Sequence, residues 1–112
     1  MIPQVISIPI GLVEPHPKLM LRFRYDVGAL AELIRSSVDE NTPNGQLNPG
    51  RVVPKKDAKG YWVYIGVRRY FALKQLHEKD GDERFGTYNA YVDSNTMSEL
   101  LMFMRAKMEN EE

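Results

Sequence analysis

Ile6, Ile8 and Ile10 alternate with Ser7 and Pro9, the two-residue period of a half-buried strand, and Pro9, which has no N–H for a ladder, puts that strand at a sheet edge or itself in a non-bonding register. Glu14-Pro15-His16-Pro17 breaks the pattern, so a loop is predicted from there to about Arg24. Val27, Leu30, Leu33, Ile34 and Val38 then recur at helical spacing, with Glu32, Arg35 and Ser36 on the other side and Asp26 as the N-cap. Asn41 to Gly50 holds two Pro, two Gly and three Asn, which predicts a long turn-rich connection.

Beyond Gly50 the pattern returns to strands. Arg51-Val52-Val53 and Tyr61-Trp62-Val63-Tyr64-Ile65 flank Lys55-Lys56-Asp57-Ala58-Lys59-Gly60, a polar stretch ending in glycine that suits a hairpin. Gly66 ends the second strand, and Tyr70, Leu73, Lys74 and Leu76 continue as a helix that stops before Asp80-Gly81-Asp82. Thr87 to Val92 is a short final strand. Thr96-Met97-Ser98-Glu99 has capping-box spacing ahead of a last helix carrying Leu100, Leu101, Phe103, Met104 and Met108. The sum is an α+β chain: a small mixed sheet with about three helices.

A chain of 112 residues, 43% hydrophobic and 27% charged, can bury a core as a single domain spanning 1–112 and is far from the composition of disorder. It contains no cysteine, so disulfides, thiolate metal sites and cysteine nucleophiles are excluded. No stretch approaches the roughly 18 apolar residues of a membrane span, and the N-terminal sequence lacks a basic start followed by an apolar run, so a cytoplasmic protein without membrane contact is expected.

The charge is zero overall but unevenly distributed. Arg51 to His77 holds seven basic residues against one acidic, whereas Glu78 to Glu112 holds four against nine. A neutral total does not favour tight nonspecific binding to duplex DNA, yet it leaves room for one local phosphate site in the basic middle.

That site is expected at Gly66-Val67-Arg68-Arg69, where a strand turns into a helix. Cations in the first helical turn oppose the helix dipole by about 0.3–1 kcal/mol each. Two adjacent arginines there ask for an anion. Glycine allows close backbone approach, free N–H groups point outward, and guanidinium forks match phosphate oxygens. The competing reading is that Arg68 and Arg69 are solvated or paired with Glu14 or Asp26. Lys55, Lys56 and Lys59 at the hairpin tip are candidate DNA contacts or a solvated turn. The aromatics Tyr61, Trp62 and Tyr64 read as cross-strand packing before base stacking. His16 and His77 lack metal-ligand spacing and read as surface residues. Met97, Met102, Met104 and Met108 read as core or a partner-docking face.

Gly66-Val67-Arg68-Arg69-Tyr70-Phe71-Ala72 resembles the glycine-acid-arginine-arginine signature of the N-terminal domains of ParB-type partition proteins. IPIGLVEPHP is similar to that family's opening strand and Asn-Pro turn. Arg22 followed by Tyr25-Asp26 resembles its Arg then Phe-Asp. ALAELIRSSV resembles its first helix, and Gly45-Gln46-Leu47-Asn48-Pro49 its Gly-x-x-Gln-Pro loop. The motifs stand in the family's order from Ile6 to about Met108.

The resemblance implies a ParB/sulfiredoxin-like fold and a nucleoside triphosphate, cytidine triphosphate with magnesium, at the double-arginine turn. Gly66, Arg68 and Arg69 would cradle phosphates, the loop of Gly45, Gln46 and Asn48 would close over the ligand, and Arg22 would face the same pocket. It also implies DNA recognition by a helix-turn-helix domain not contained in these residues, a partner partition ATPase, a homodimer, and a protein associated with the nucleoid or a plasmid. Enzyme activity, as a triphosphatase, nuclease or phosphotransferase, is an alternative, as is an interaction module that has lost its ligand. Two departures bear on it. Val67 replaces the signature's glutamate, and the family's Glu-Asn then Gln-Arg motif falls on Met104, Arg105, Lys107 and Met108. Metal-held triphosphate chemistry lacks its carboxylates there, unless Glu99 or Glu109 substitutes, and Arg105 adds charge instead.

Overall fold

The structure is a computed structural model; it describes residues 4–19 and 27–110, with side chains to 108. Five strands form one mixed sheet: β1 (Val5–Pro9), β2 (Val13–Pro15), β3 (Gly50–Pro54), β4 (Tyr61–Ile65) and β5 (Thr87–Val92), in the order β1-β5-β3-β4-β2. β3 and β4 make the expected antiparallel hairpin, and β1 pairs antiparallel with β5. β3 with β5, and β2 with β4, run parallel. The three helices are α1 (Gly28–Ser36), α2 (Val67–Lys79) and α3 (Glu99–Asn110). The α+β class and the mixed sheet follow the sequence reading, and Pro9 does close an edge strand.

The sheet has a core on each face. On one, Ile8, Val52, Val63, Tyr88 and Ala90 pack against Ala31 and Ile34 of α1 and Tyr70, Leu73 and Leu76 of α2. On the other, Val53, Tyr64 and Ile65 meet Leu19 and Met102 and Ala106 of α3. Strict alternation along β4 would put Ile65 beside Val63. Instead the register jumps between Arg51 and Val52, opposing Ile65 to Arg51 and Val63 to Val52. Tyr64 is the extra residue of this bulge, and both Tyr64 and Ile65 reach the α3 side.

Several expectations are corrected. The loop predicted from Glu14 begins two residues later, because Val13–Pro15 adds to β4 as a parallel edge strand. Three residues ending in proline carry too little periodicity to read as a strand. α1 ends at Ser36, where Ser36 and Ser37 turn their hydroxyls back onto the carbonyls of Glu32 and Leu33, and Leu33 faces solvent at 58% exposure although its spacing placed it on the apolar face. The cap of α3 is Ser98, whose Oγ accepts the Leu101 N–H at 3.1 Å; Thr96 instead pairs with the Ser94 hydroxyl. A 3-10 turn at Glu83–Phe85, capped by Asp82, places Phe85 fully in the core. His16 is buried, 8% exposed, and not a surface residue. Asp26 as N-cap, and Arg22, lie outside the described residues.

Candidate phosphate site

Gly66 stands in the left-handed region (φ 87°, ψ 27°) between β4 and α2. A side chain is excluded there twice over: by the positive φ, and because a Cβ would lie 2.6 Å from the Tyr88 hydroxyl and 3.1 Å from Gly50 Cα. That hydroxyl is fully buried and donates to the Gly66 carbonyl at 2.9 Å, with the Ile65 carbonyl at 3.4 Å. Burial pushes the Tyr88 phenol far up from its usual range, with Arg69 pulling it back. Gly50 is equally constrained, since its Cβ would fall 1.9 Å from the same oxygen. The end of β4, the start of α2 and the start of β3 therefore converge on one phenol.

The helix beginning at this junction has no side-chain cap and no acidic residue in its first turn. Its leading N–H groups are left open to an incoming acceptor. Arg68 is exposed and Arg69 half-buried. Among the described residues neither has a carboxylate partner: Glu14, the first alternative partner, is taken by Lys55 at 3.0 Å, and the second, Asp26, lies outside the described residues. Arg69 Nη1 would stand 3.2 Å from a Cβ on Gly66, so the absence of a side chain there lets the guanidinium fold back over the turn.

The Gly45–Pro49 segment leads directly into Gly50 and so borders this turn. Gly45, with φ 71°, presses against the last turn of α1, where a Cβ would lie 2.0 Å from the Ile34 carbonyl oxygen. Gln46 is 4% exposed and imitates a strand. Its Oε1 accepts the Asn89 N–H at 2.7 Å, and its Nε2 donates to the carbonyls of Asn89 at 2.8 Å and Asn48 at 3.1 Å. Asn44 adds a bond to the Thr87 carbonyl at 3.2 Å. Gln46 thus holds the segment in place, while Leu47 and Asn48 face outward. Asn44, Asn89, Gly50 and Tyr88 were not singled out from sequence; only the adjacency of Pro49-Gly50 to a strand hinted at one of them.

The other cations sit differently. Lys55 is held under the sheet edge by Glu14 and lies 4.4 Å from the centre of the Trp62 ring, with a side chain only 14% exposed. Lys56 and Lys59 are exposed. On the α3 face, Asp93 is the hub of a separate network. It pairs with Arg51 at 3.0 Å and Arg105 at 3.9 Å, and accepts the Tyr64 hydroxyl. Burial first, and the bond to Asp93 second, push the Tyr64 phenol up to about 12. Arg105 therefore faces Asp93. Among the described residues no group of three or more His, Cys, Asp or Glu could hold a metal, and no helix is long and apolar enough to cross a membrane.

No protein-family model and no curated relative matches the chain. Solved structures do. The C-terminally truncated chromosome-partitioning protein ParB of Caulobacter crescentus, complexed with CTP-gamma-S, superposes with a TM-score of 0.73 at 24% identity, over 96% of this chain and 52% of that one. The same protein complexed to the centromeric parS site gives a TM-score of 0.58 at 22% identity, over 94% of this chain and 46% of that one. The fold is therefore of ParB type, and the chain spans about half the length of the ParB chains it matches.

Proposed function

We propose that this domain is a nucleotide-responsive, DNA-associated module of partition type, in which the phosphates of a nucleoside triphosphate dock at the start of α2. Gly66, Arg68 and Arg69 grip the phosphates and the segment of Gly45, Gln46 and Asn48 borders them; Arg22 is assigned to the same ligand on the sequence resemblance alone. The observation that carries this is the pair of guanidinium groups without carboxylate partners among the described residues, at an uncapped helix start. Cytidine triphosphate is the favoured nucleotide, supported by the sequence resemblance and by the CTP analogue in a ParB protein of the same fold.

The residues at hand suit phosphate and do not suit a protein-held magnesium, since α2 offers no acid in its first turn and Val67 stands where the signature has glutamate. No hydrolytic step follows from these side chains. DNA association draws on Lys56 and Lys59, with Lys55 behind them, and on a helix-turn-helix domain outside these residues. A partition ATPase and a second copy are the further partners, and the nucleoid or a plasmid is the place of action. Exposed Leu100, Met104 and Met108, spaced four apart on α3, give a self-associating module its contact surface.

The test is calorimetric titration of CTP into the protein and into Arg68→Ala/Arg69→Ala. Losing two charge-assisted contacts, at about 1.5–3 kcal/mol each, predicts at least about a hundredfold weaker binding. Unchanged affinity in a variant with native circular dichroism refutes the reading.

A further inference from the structure

At the other end of β4 from Gly66 lies a cavity of about 350 Å³ between the hairpin tip and the start of α3, within the volume range of small-molecule sites. Its apolar walls are Val53, Trp62, Met97 and Met102. His16 lines it and is more than nine-tenths buried. The imidazole Nδ1 accepts the Lys18 N–H at 3.3 Å, so the neutral ring carries its proton on Nε2. Among the described residues no hydrogen bond occupies that N–H, and the residue that carries it lines the cavity. Burial lowers the His16 pKa, which keeps the ring neutral and Nε2 a donor at neutral pH.

The charges around the cavity limit what can enter. Lys55 is neutralised by Glu14, and Glu99 is paired with Lys18 at 3.5 Å. Lys56 is left at the rim as a cation without a partner among the described residues, with Asp57 beside it. Two carboxylates close by make this a poor place for a polyphosphate. One imidazole donor reached from the cavity opening, one rim ammonium and an apolar wall suit a molecule with a single negative charge and a flat apolar body.

We propose that this cavity binds a small aromatic monocarboxylate, its carboxylate taken by His16 Nε2 and Lys56 and its ring lodged against Trp62, Met97 and Met102. The site is separate from the phosphate turn and does not rest on it.

Trp62 is the one tryptophan of the chain, so its emission reads the cavity directly. Phenylacetate titrated into the intact protein should change Trp62 emission saturably. Phenylacetamide, which has the ring without the charge, and His16→Phe, which removes the donor, should each bind at least about tenfold more weakly. Lys56→Gln, at an exposed position that cannot unfold the domain, should weaken phenylacetate about fivefold. Arg68→Ala/Arg69→Ala should leave this titration unchanged, which separates it from CTP binding. A linear, unsaturated response, equal binding of the amide, or inorganic phosphate competing with phenylacetate overturns the proposal.

Discussion

The start of α2 and the Asp93 network under α3 each gather two arginines, and they use them in opposite ways. Arg51 and Arg105 face one carboxylate, with Tyr64 hydrogen-bonded to it. Arg68 and Arg69 face none among the described residues, at a helix end where positive charge is least welcome. The first pair is internal wiring whose removal should loosen the fold. The second, which the proposed function assigns to phosphate, should stand at a small cost in stability. A basic side chain is therefore read by what answers it, and the contrast can be tested through stability alone.

The largest effect is expected at the hub. Asp93→Ala leaves Arg51 and the Tyr64 hydroxyl unanswered in a half-buried setting and should cost about 2 kcal/mol in urea unfolding. A loss below a few tenths would put the two arginine pairs in one class. Next comes alkaline pH. The Tyr64 phenol is raised to about 12 in the folded protein against roughly 10 unfolded. The folded state thus holds this proton more tightly; the stability so gained is complete below pH 10 and drains away as pH rises toward 12. Between those values the parent should lose more stability than Tyr64→Phe, as read from unfolding midpoints. Lys55→Ala, which breaks one ion pair and a ring contact, should cost about 0.5–1 kcal/mol, and Lys56→Ala less than about 0.5. Smallest, and of opposite sign, is Arg68→Ala/Arg69→Ala. Removing cations from a helix start should leave stability unchanged or raise it by up to about 1 kcal/mol, even as CTP binding falls.

Element types were legible because hydrophobic spacing fixes them locally. The strand-to-helix junction at Gly66 was legible because glycine and misplaced charge mark it. What escaped depends on pairing at a distance. The three-residue β2 exists only because β4 offers an edge, and the bulge at Tyr64 is set by the register against β3. Gln46, taken from sequence as a ligand contact, has both ends of its amide occupied by the backbone of residues 48 and 89, which no local pattern reveals. The hairpin lysines looked alike, yet Lys55 is distinguished by Glu14, forty-one positions earlier in the chain.

The phenol of Tyr88 is shared by two glycines that are sixteen positions apart, and this has an evolutionary consequence. Enlarging Gly50 drives an atom into the oxygen that also steadies Gly66, so neither position can drift while Tyr88 stays as it is. Exchange of Tyr88 for phenylalanine would relieve much of that crowding but strip the Gly66 carbonyl of its donor. The three sites are thus inherited as one unit, and descendants of this protein should change them together or leave all three alone.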